Sequence, residues 1–208
     1  MNSEIIKRLT QPLEYEWSVQ GLGMMRTYIS ERDRLHIWHS SLAVEGATAL
    51  HDHPWNFSSQ VWFGGIKQIR YADNDDTSVD LYMNNVITPH LVVNLDASSE
   101  TYMKQKILCG EGGCIMGEPE EIELSEGPLE IFYAGQTYHQ LSHEIHKTMP
   151  FDNTVTIINR ELQPLQPRDH AHVFIPKGAE FVSAEPRPAT RAEILYITRE
   201  VLHAYQEA

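Results

Sequence analysis

Two cysteines in 208 residues exclude a disulfide-built scaffold, and two thiols alone cannot close a four-ligand structural zinc site. Cys109 and Cys114 flank Gly110-Glu111-Gly112-Gly113, which reads as a hairpin loop with the thiols across from each other. In a reducing cytosol they are expected as paired thiols. Basic residues are also scarce: 16 Lys and Arg stand against 29 Asp and Glu, a net charge of -13, with a pI near 5.2. That balance argues against nucleic acid and anionic membranes as partners, since both are met by a basic surface, and leaves a small molecule as the expected partner. No apolar run approaches the length of a membrane span. The opening Met1-Asn2-Ser3-Glu4-Ile5-Ile6-Lys7 lacks the layout of a signal peptide, so the expected location is cytoplasmic. Missing too are a nucleophile elbow, a Ser-His-Asp spacing and a phosphate-cradling glycine loop, which sets aside hydrolase and nucleotide chemistry.

What the chain has in quantity is histidine, eleven in all. Leu50-His51-Asp52-His53-Pro54-Trp55-Asn56-Phe57 carries two of them one residue apart, between Gly46 and Gly64-Gly65. Side chains on an extended segment alternate, so His51 and His53 point to one side and can reach one metal ion. A second pair, His170-Ala171-His172, lacks the glycine frame and reads as a decoy. His36 and His39 read as surface or core-edge residues, with His36 and Trp38 on one face of their segment and Leu35, Ile37 and His39 on the other.

Short β-prone runs separated by glycine and proline turns fill most of the chain: Met24 to Ser30, Leu35 to His39, Ile66 to Tyr71, Thr101 to Cys109, Cys114 to Met116, Glu121 to Leu124, Leu129 to Tyr133, Thr154 to Ile158 and Val173 to Ile175. They predict an all-β antiparallel barrel or sandwich in one domain over 1–208, with strands from about 22 to 182. Residues 4 to 9 suggest a short helix ended by Pro12. Thr190 and Glu193 form a capping-box pattern opening an amphipathic helix over about 190–206, expected to pack outside the barrel. The acidic segment 72–80 reads as a solvated loop, and 80–99 carries no clear period.

The frame around His51 and His53 resembles the first signature of the cupin superfamily, matching it approximately at Gly46, the His-x-His pair and Gly64 or Gly65, with the first gap one residue short. Phe57 or Ser58 stands where that signature carries a glutamate. The second signature is similar to Gly127-Pro128-Leu129-Glu130-Ile131-Phe132-Tyr133-Ala134-Gly135-Gln136-Thr137-Tyr138-His139, with Tyr133 in a proline's place and one extra residue before the histidine. The pair is closest in pattern to three-histidine cupins of the cysteine dioxygenase-like kind. The resemblance implies an antiparallel double-stranded β-helix, or jelly-roll, that often forms a homodimer. It also implies one divalent metal on His51, His53 and His139, with His143 and His146 close enough to take the third place.

Iron(II) is the ion this pattern suggests most, and zinc, nickel or manganese would suit the same donors. Thiolate chelation and sulfur oxygenation of a small anionic substrate are the implied chemistry. Another metal-dependent reaction, such as an isomerisation, or simple ligand binding are the alternatives. Around the metal, Tyr133 is the expected catalytic hydroxyl, and Arg70 and Gln60 are the expected substrate contacts. Arg26 is a second candidate arginine. Gln60 and Trp62 face the metal only if a bulge between His53 and Ser58 breaks the alternation.

Overall fold

The computed structural model describes residues 2–47, 50–73, 99–108, 115–142, 144–160, 170–182 and 186–208. The Cys109–Cys114 loop, His143 and the acidic segment from 74 onward lie outside them. The architecture is an all-β jelly-roll of two antiparallel sheets with helices at either end of the chain. Helix α1 (Asn2–Thr10) leads through a 3₁₀ turn (Pro12–Glu14) into the strands, thirteen among the described residues. These are β1 (Ser18–Gln20), β2 (Leu22–Tyr28), β3 (Asp33–Ala43), β4 (Leu50–His51), β5 (Phe57–Phe63), β6 (Gly65–Asp73) and β7 (Ser99–Leu108). After them come β8 (Ile115–Tyr133), β9 (Thr137–Gln140), β10 (Ile145–Pro150), β11 (Thr154–Arg160), β12 (His170–Pro176) and β13 (Arg187–Pro188). Helix α2 (Arg191–Glu207) ends the chain.

One sheet runs β13-β1-β2-β3-β11-β5-β9, and the other six strands close on themselves in the order β10-β4-β12-β7-β8-β6. The alternation read from Leu35 to His39 holds in β3 and decides how the first sheet is used. Leu35 and Ile37 join Val19, Met25, Val155 and Ile157 on its outer face, where Ile5 and Leu9 of α1 and Ile194, Ile197 and Val201 of α2 cover them. Burial of such side chains stabilises by about 1.5–3 kcal/mol each, and the cluster that the helices close is the largest among the described residues. Trp62 points the same way and stacks on Tyr205 of α2 at 4.8 Å between ring centres.

The inner face of that sheet is polar by comparison. It carries Arg26 opposite His36, Tyr28 opposite Arg34, and Thr156 opposite His36 on the other side. Among the described residues two further apolar clusters are smaller: Leu50, Tyr102, Ile122, Leu124, Ile145 and Phe174 among the six closed strands, and Phe57, Ile66 and Tyr138 between the sheets.

The sequence suggests separate strands at Glu121 to Leu124 and at Leu129 to Tyr133, but both belong to the 19-residue β8. Gly127-Pro128 does not end it because the register against β6 shifts between Ile69 and Tyr71, and the extra residues are taken up as a bulge. A Cβ at Gly127 would lie 2.7 Å from the Arg70 carbonyl oxygen, so the bulge needs a glycine there.

At the turn between β5 and β6, Gly64 has φ +77°, and a Cβ added to it would meet Thr154 Oγ1 at 2.5 Å. That hydroxyl is fixed, accepting from the Gly65 amide at 3.0 Å and donating to the Gly65 carbonyl at 2.9 Å. Gly64→Ala should therefore cost more than the roughly 1 kcal/mol expected for a left-handed alanine alone, whereas Gly135→Ala, at φ +89° with open space around its Cβ, should cost only that. Urea unfolding of the two variants separates them.

The α2 cap gives a pH-dependent counterpart. Thr190 Oγ1 accepts from the Glu193 amide at 3.2 Å, and the Glu193 carboxylate accepts from the Thr190 amide at 2.8 Å and from Arg187 Nη1 at 2.9 Å. Arg187, ahead of the cap's own bonds, pulls the Glu193 carboxyl down to about 2. A depressed carboxyl stabilises above its unfolded value and loses that contribution as pH falls toward 2. Glu193→Gln should lower stability by about 1 kcal/mol at pH 7, and the difference from wild type should shrink steadily in denaturation curves below pH 4.

Candidate metal centre

Alternation places the two histidines of the His-x-His segment together, as their spacing predicts, with ring centres 4.7 Å apart. Asp52, between them, must point the opposite way, and its carboxylate is buried against β12. There it accepts from the His172 amide at 2.7 Å and pairs with His172 Nδ1 at 2.8 Å, while the Asp52 amide donates to the His172 carbonyl at 3.1 Å. His172, which reads as a decoy in the sequence, is thus the anchor of the segment that carries the two histidines. His51 itself pairs in register with Val173 on one side and His146 on the other.

That second pairing supplies the third imidazole. The His146 ring centre lies 4.7 Å from that of His51 and 5.1 Å from that of His53. One ring nitrogen from each of His51, His53 and His146 lies within 4.8 Å of the others, a donor set that could hold a metal ion. His139 does not join them. On β9, Tyr138 and Gln140 are buried, so alternation turns His139 outward, and it pairs with Ser58 at the edge of the other sheet. The site therefore takes its third histidine from the strand after the one that the cupin spacing suggests. The available signal was Ile145-His146-Lys147-Thr148, a strand-like run that ends in the partner of both β4 and β6.

His53 and His146 are set up as neutral donors. Burial first, then the charges of His51 and His146, holds His53 well below its usual value. His146 is lowered in the same way, by burial and then by His51. A neutral imidazole keeps one nitrogen lone pair for a cation. His146 Nδ1 lies 3.3 Å from the Glu144 carbonyl, a backbone partner that would leave Nε2 for the metal. Octahedral or tetrahedral sites place neighbouring donors about 3–3.5 Å apart when the bonds are about 2.1 Å, so modest ring rotations bring the three onto one ion. Trp55 and Phe57 wall the site, with ring centres 5.8 and 5.0 Å from His53.

The other expected site residues lie elsewhere. Gln60 is exposed, because β5 alternates from Phe57 to Val61 and buries Phe57, Ser59 and Val61 instead; the register shift in this strand comes later, at Trp62, and does not turn Gln60 inward. Tyr133 is 56 % exposed at the end of β8, with Phe132 taking the inward position against Tyr138. Arg70 does stand directly across from His146. Its guanidinium, however, is paired with Glu130 at 3.0 Å and Glu144 at 3.7 Å, and donates to the His139 carbonyl at 2.9 Å. Two carboxylates already balance its charge, which argues against its binding a substrate anion.

No family model and no curated protein matches this chain. Among solved structures, the crystal structure of hydroquinone 1,2-dioxygenase from Sphingomonas sp. TTNP3 with 4-hydroxybenzoate bound is similar at 12% identity and a TM-score of 0.29. The match covers 63% of this chain and 60% of that one. A superposition that loose carries no chemistry from one chain to the other. Among the described residues no helix is long and apolar enough to cross a membrane.

The Asp52–His172 pair gives the site's stability test. Removing the buried carboxylate leaves the His172 amide and ring without their acceptor, so Asp52→Ala should cost about 2–4 kcal/mol in urea unfolding. The same change at Asp152, whose carboxylate binds exposed Ser40, should cost under about 1 kcal/mol.

Proposed function

We propose that His51, His53 and His146 hold one divalent metal ion, and that the protein is a metal-dependent cupin, of the three-histidine oxygenase type, acting on a small anionic molecule. The observation that carries this reading is the convergence of three imidazole nitrogens within 4.8 Å of one another, two of them half-buried and that of His146 buried, with burial holding His53 and His146 neutral. Asp52, the one carboxylate inside the His-x-His segment, is turned away and bound to His172. A metal held by three neutral ligands keeps its full dicationic charge and so favours an anionic ligand. Iron(II) held this way would offer up to three further positions, enough for a substrate and dioxygen together. Zinc, nickel and manganese accept the same donors.

The chain's own residues would divide the work. His51 and His146, facing each other across paired strands, fix two corners of the site, and His53 the third. The aromatic faces of Trp55 and Phe57 keep bulk water from the His53 side, which strengthens any charge interaction made there.

Metal content measured by inductively coupled plasma mass spectrometry should be close to one ion per chain in the wild type. It should fall by at least tenfold in His53→Ala and in His146→Ala, and stay unchanged in His139→Ala and His170→Ala. Retention of metal by His146→Ala would remove the proposed triad. With iron(II) loaded, oxygen uptake against a panel of small thiols is the expected activity; anaerobic turnover of a sugar or keto acid without oxygen uptake would move the chemistry to an isomerase.

A further inference from the structure

Ten arginines serve this acidic chain, and three of them, Arg26, Arg34 and Arg160, sit on the inner face of the seven-stranded sheet. Arg34 is central. Arg26 pairs with His36, two residues along β3 from Arg34, and Ile158 pairs with Arg34, two residues along β11 from Arg160. Both neighbours are thus diagonal partners of Arg34, at the spacing where long side chains meet. Arg34 is 91 % shielded from solvent, and Arg26 and Arg160 are half-buried.

Such a group of cations would ordinarily be matched by carboxylates. Among the described residues no Asp or Glu pairs with any of the three. Arg26 Nε donates to Ser18 Oγ at 3.1 Å, and Arg160 Nη2 to the Glu31 carbonyl at 3.3 Å. Arg34 lies over the Tyr28 and Trp55 rings, at 4.8 and 5.7 Å. Buried polar atoms are left without a hydrogen-bond partner: Nε of Arg34, Nε of Arg160 and both ring nitrogens of His36, whose side chain is more than nine-tenths buried. Burial and the charge of Arg160 and Arg26 push Arg34 down to about 10, still fully charged near neutrality, and His36 is held neutral by burial and by Arg26 and Arg34. A neutral imidazole can donate one N–H to an anion without adding charge.

The cluster adjoins the triad. The Trp55 ring, 5.8 Å from His53, is 5.3 Å from the Arg160 guanidinium, and Arg160 pairs across strands with Phe57, whose ring is 5.0 Å from His53.

We propose that Arg26, Arg34 and Arg160, with His36, form the binding site for a dianionic head group, a phosphate monoester or a dicarboxylate, carried by the small molecule that the neighbouring histidines act on. The identity of that molecule as a substrate rests on the metal-centre reading; the anion site itself does not. Several guanidiniums present donors on more than one side, which suits an oxyanion bearing two charges better than a single carboxylate. The Trp55 ring, touched by both Arg34 and Arg160, separates the head-group site from His53 and sets where the reacting end would lie.

The test is calorimetric titration of the chelator-treated, metal-free protein with inorganic phosphate and, separately, with succinate, at constant ionic strength. Saturable binding of at least one probe is expected, weakened at least tenfold by Arg34→Gln and by Arg160→Gln and within twofold of wild type in Arg70→Gln, whose arginine is balanced by Glu130 and Glu144. Tighter phosphate binding assigns a phosphate monoester, and tighter succinate binding a dicarboxylate. Circular dichroism checks that the variants are folded; if the buried Arg34→Gln is not, the half-buried Arg160→Gln carries the comparison. Absence of saturable binding by either probe, or equal weakening in Arg70→Gln, overturns the site and leaves Arg34 and Arg160 as stacking partners of Tyr28 and Trp55. Metal content is read on untreated samples of the same variants: anion binding by a protein that holds no metal fails the metal reading alone, and metal retention without anion binding fails this one alone.

Discussion

The buried Asp52 carboxylate, bound at once to the amide and the ring of His172, decides where His51 and His53 point. On an extended segment a residue and its neighbours face opposite sides, so anchoring Asp52 toward β12 commits both flanking imidazoles to the other side. The pairing of His51 with His146 then follows from strand register. A slip of one residue would send the three rings apart and expose Asp52. The site's geometry thus hangs on a polar pair that never enters it, and that pair is set by backbone hydrogen bonds as much as by the contact between the side chains.

The two faces of the seven-stranded sheet differ in what they carry. The outer face gives its apolar residues to the helices, with Leu35, Ile37, Val155 and Ile157 under Ile194, Ile197 and Val201. Because so much of the apolar burial lies there, the inner face is free to carry Arg26, Arg34, His36 and Thr156. Among the described residues no carboxylate pairs with these guanidiniums, and a partly buried charge without such a partner is costly to keep in a fold. The helices at the two ends of the chain therefore matter to the site through the face of the sheet that they leave uncovered.

Much of this was legible in the sequence because it depends on local period. The alternation in Leu35 to His39, the capping box at Thr190 and Glu193, and the pairing of His51 with His53 all follow from residues a few positions apart. What was illegible depends on which distant strands meet. His146 enters through the register of β10 against β4, and His139 leaves because Tyr138 and Gln140 claim the inward positions of β9. Gln60 and Tyr133 missed for the same reason: each stands one residue from an inward position, held by Ser59 or Val61 in one case and by Phe132 in the other. Arg70 lies at the expected place, but its partners Glu130 and Glu144 come from other strands and could not be foreseen. A motif that tolerates an extra residue fixes a neighbourhood, whereas a ligand set needs the parity of each strand.

X-ray absorption at the zinc edge, on protein loaded with one equivalent of zinc, addresses the centre itself. Three imidazole nitrogens at about 2.0–2.1 Å, with further light-atom scatterers from solvent and no sulfur, are predicted. A spectrum showing fewer than three imidazoles, or a sulfur shell near about 2.3 Å, would contradict a centre built from His51, His53 and His146.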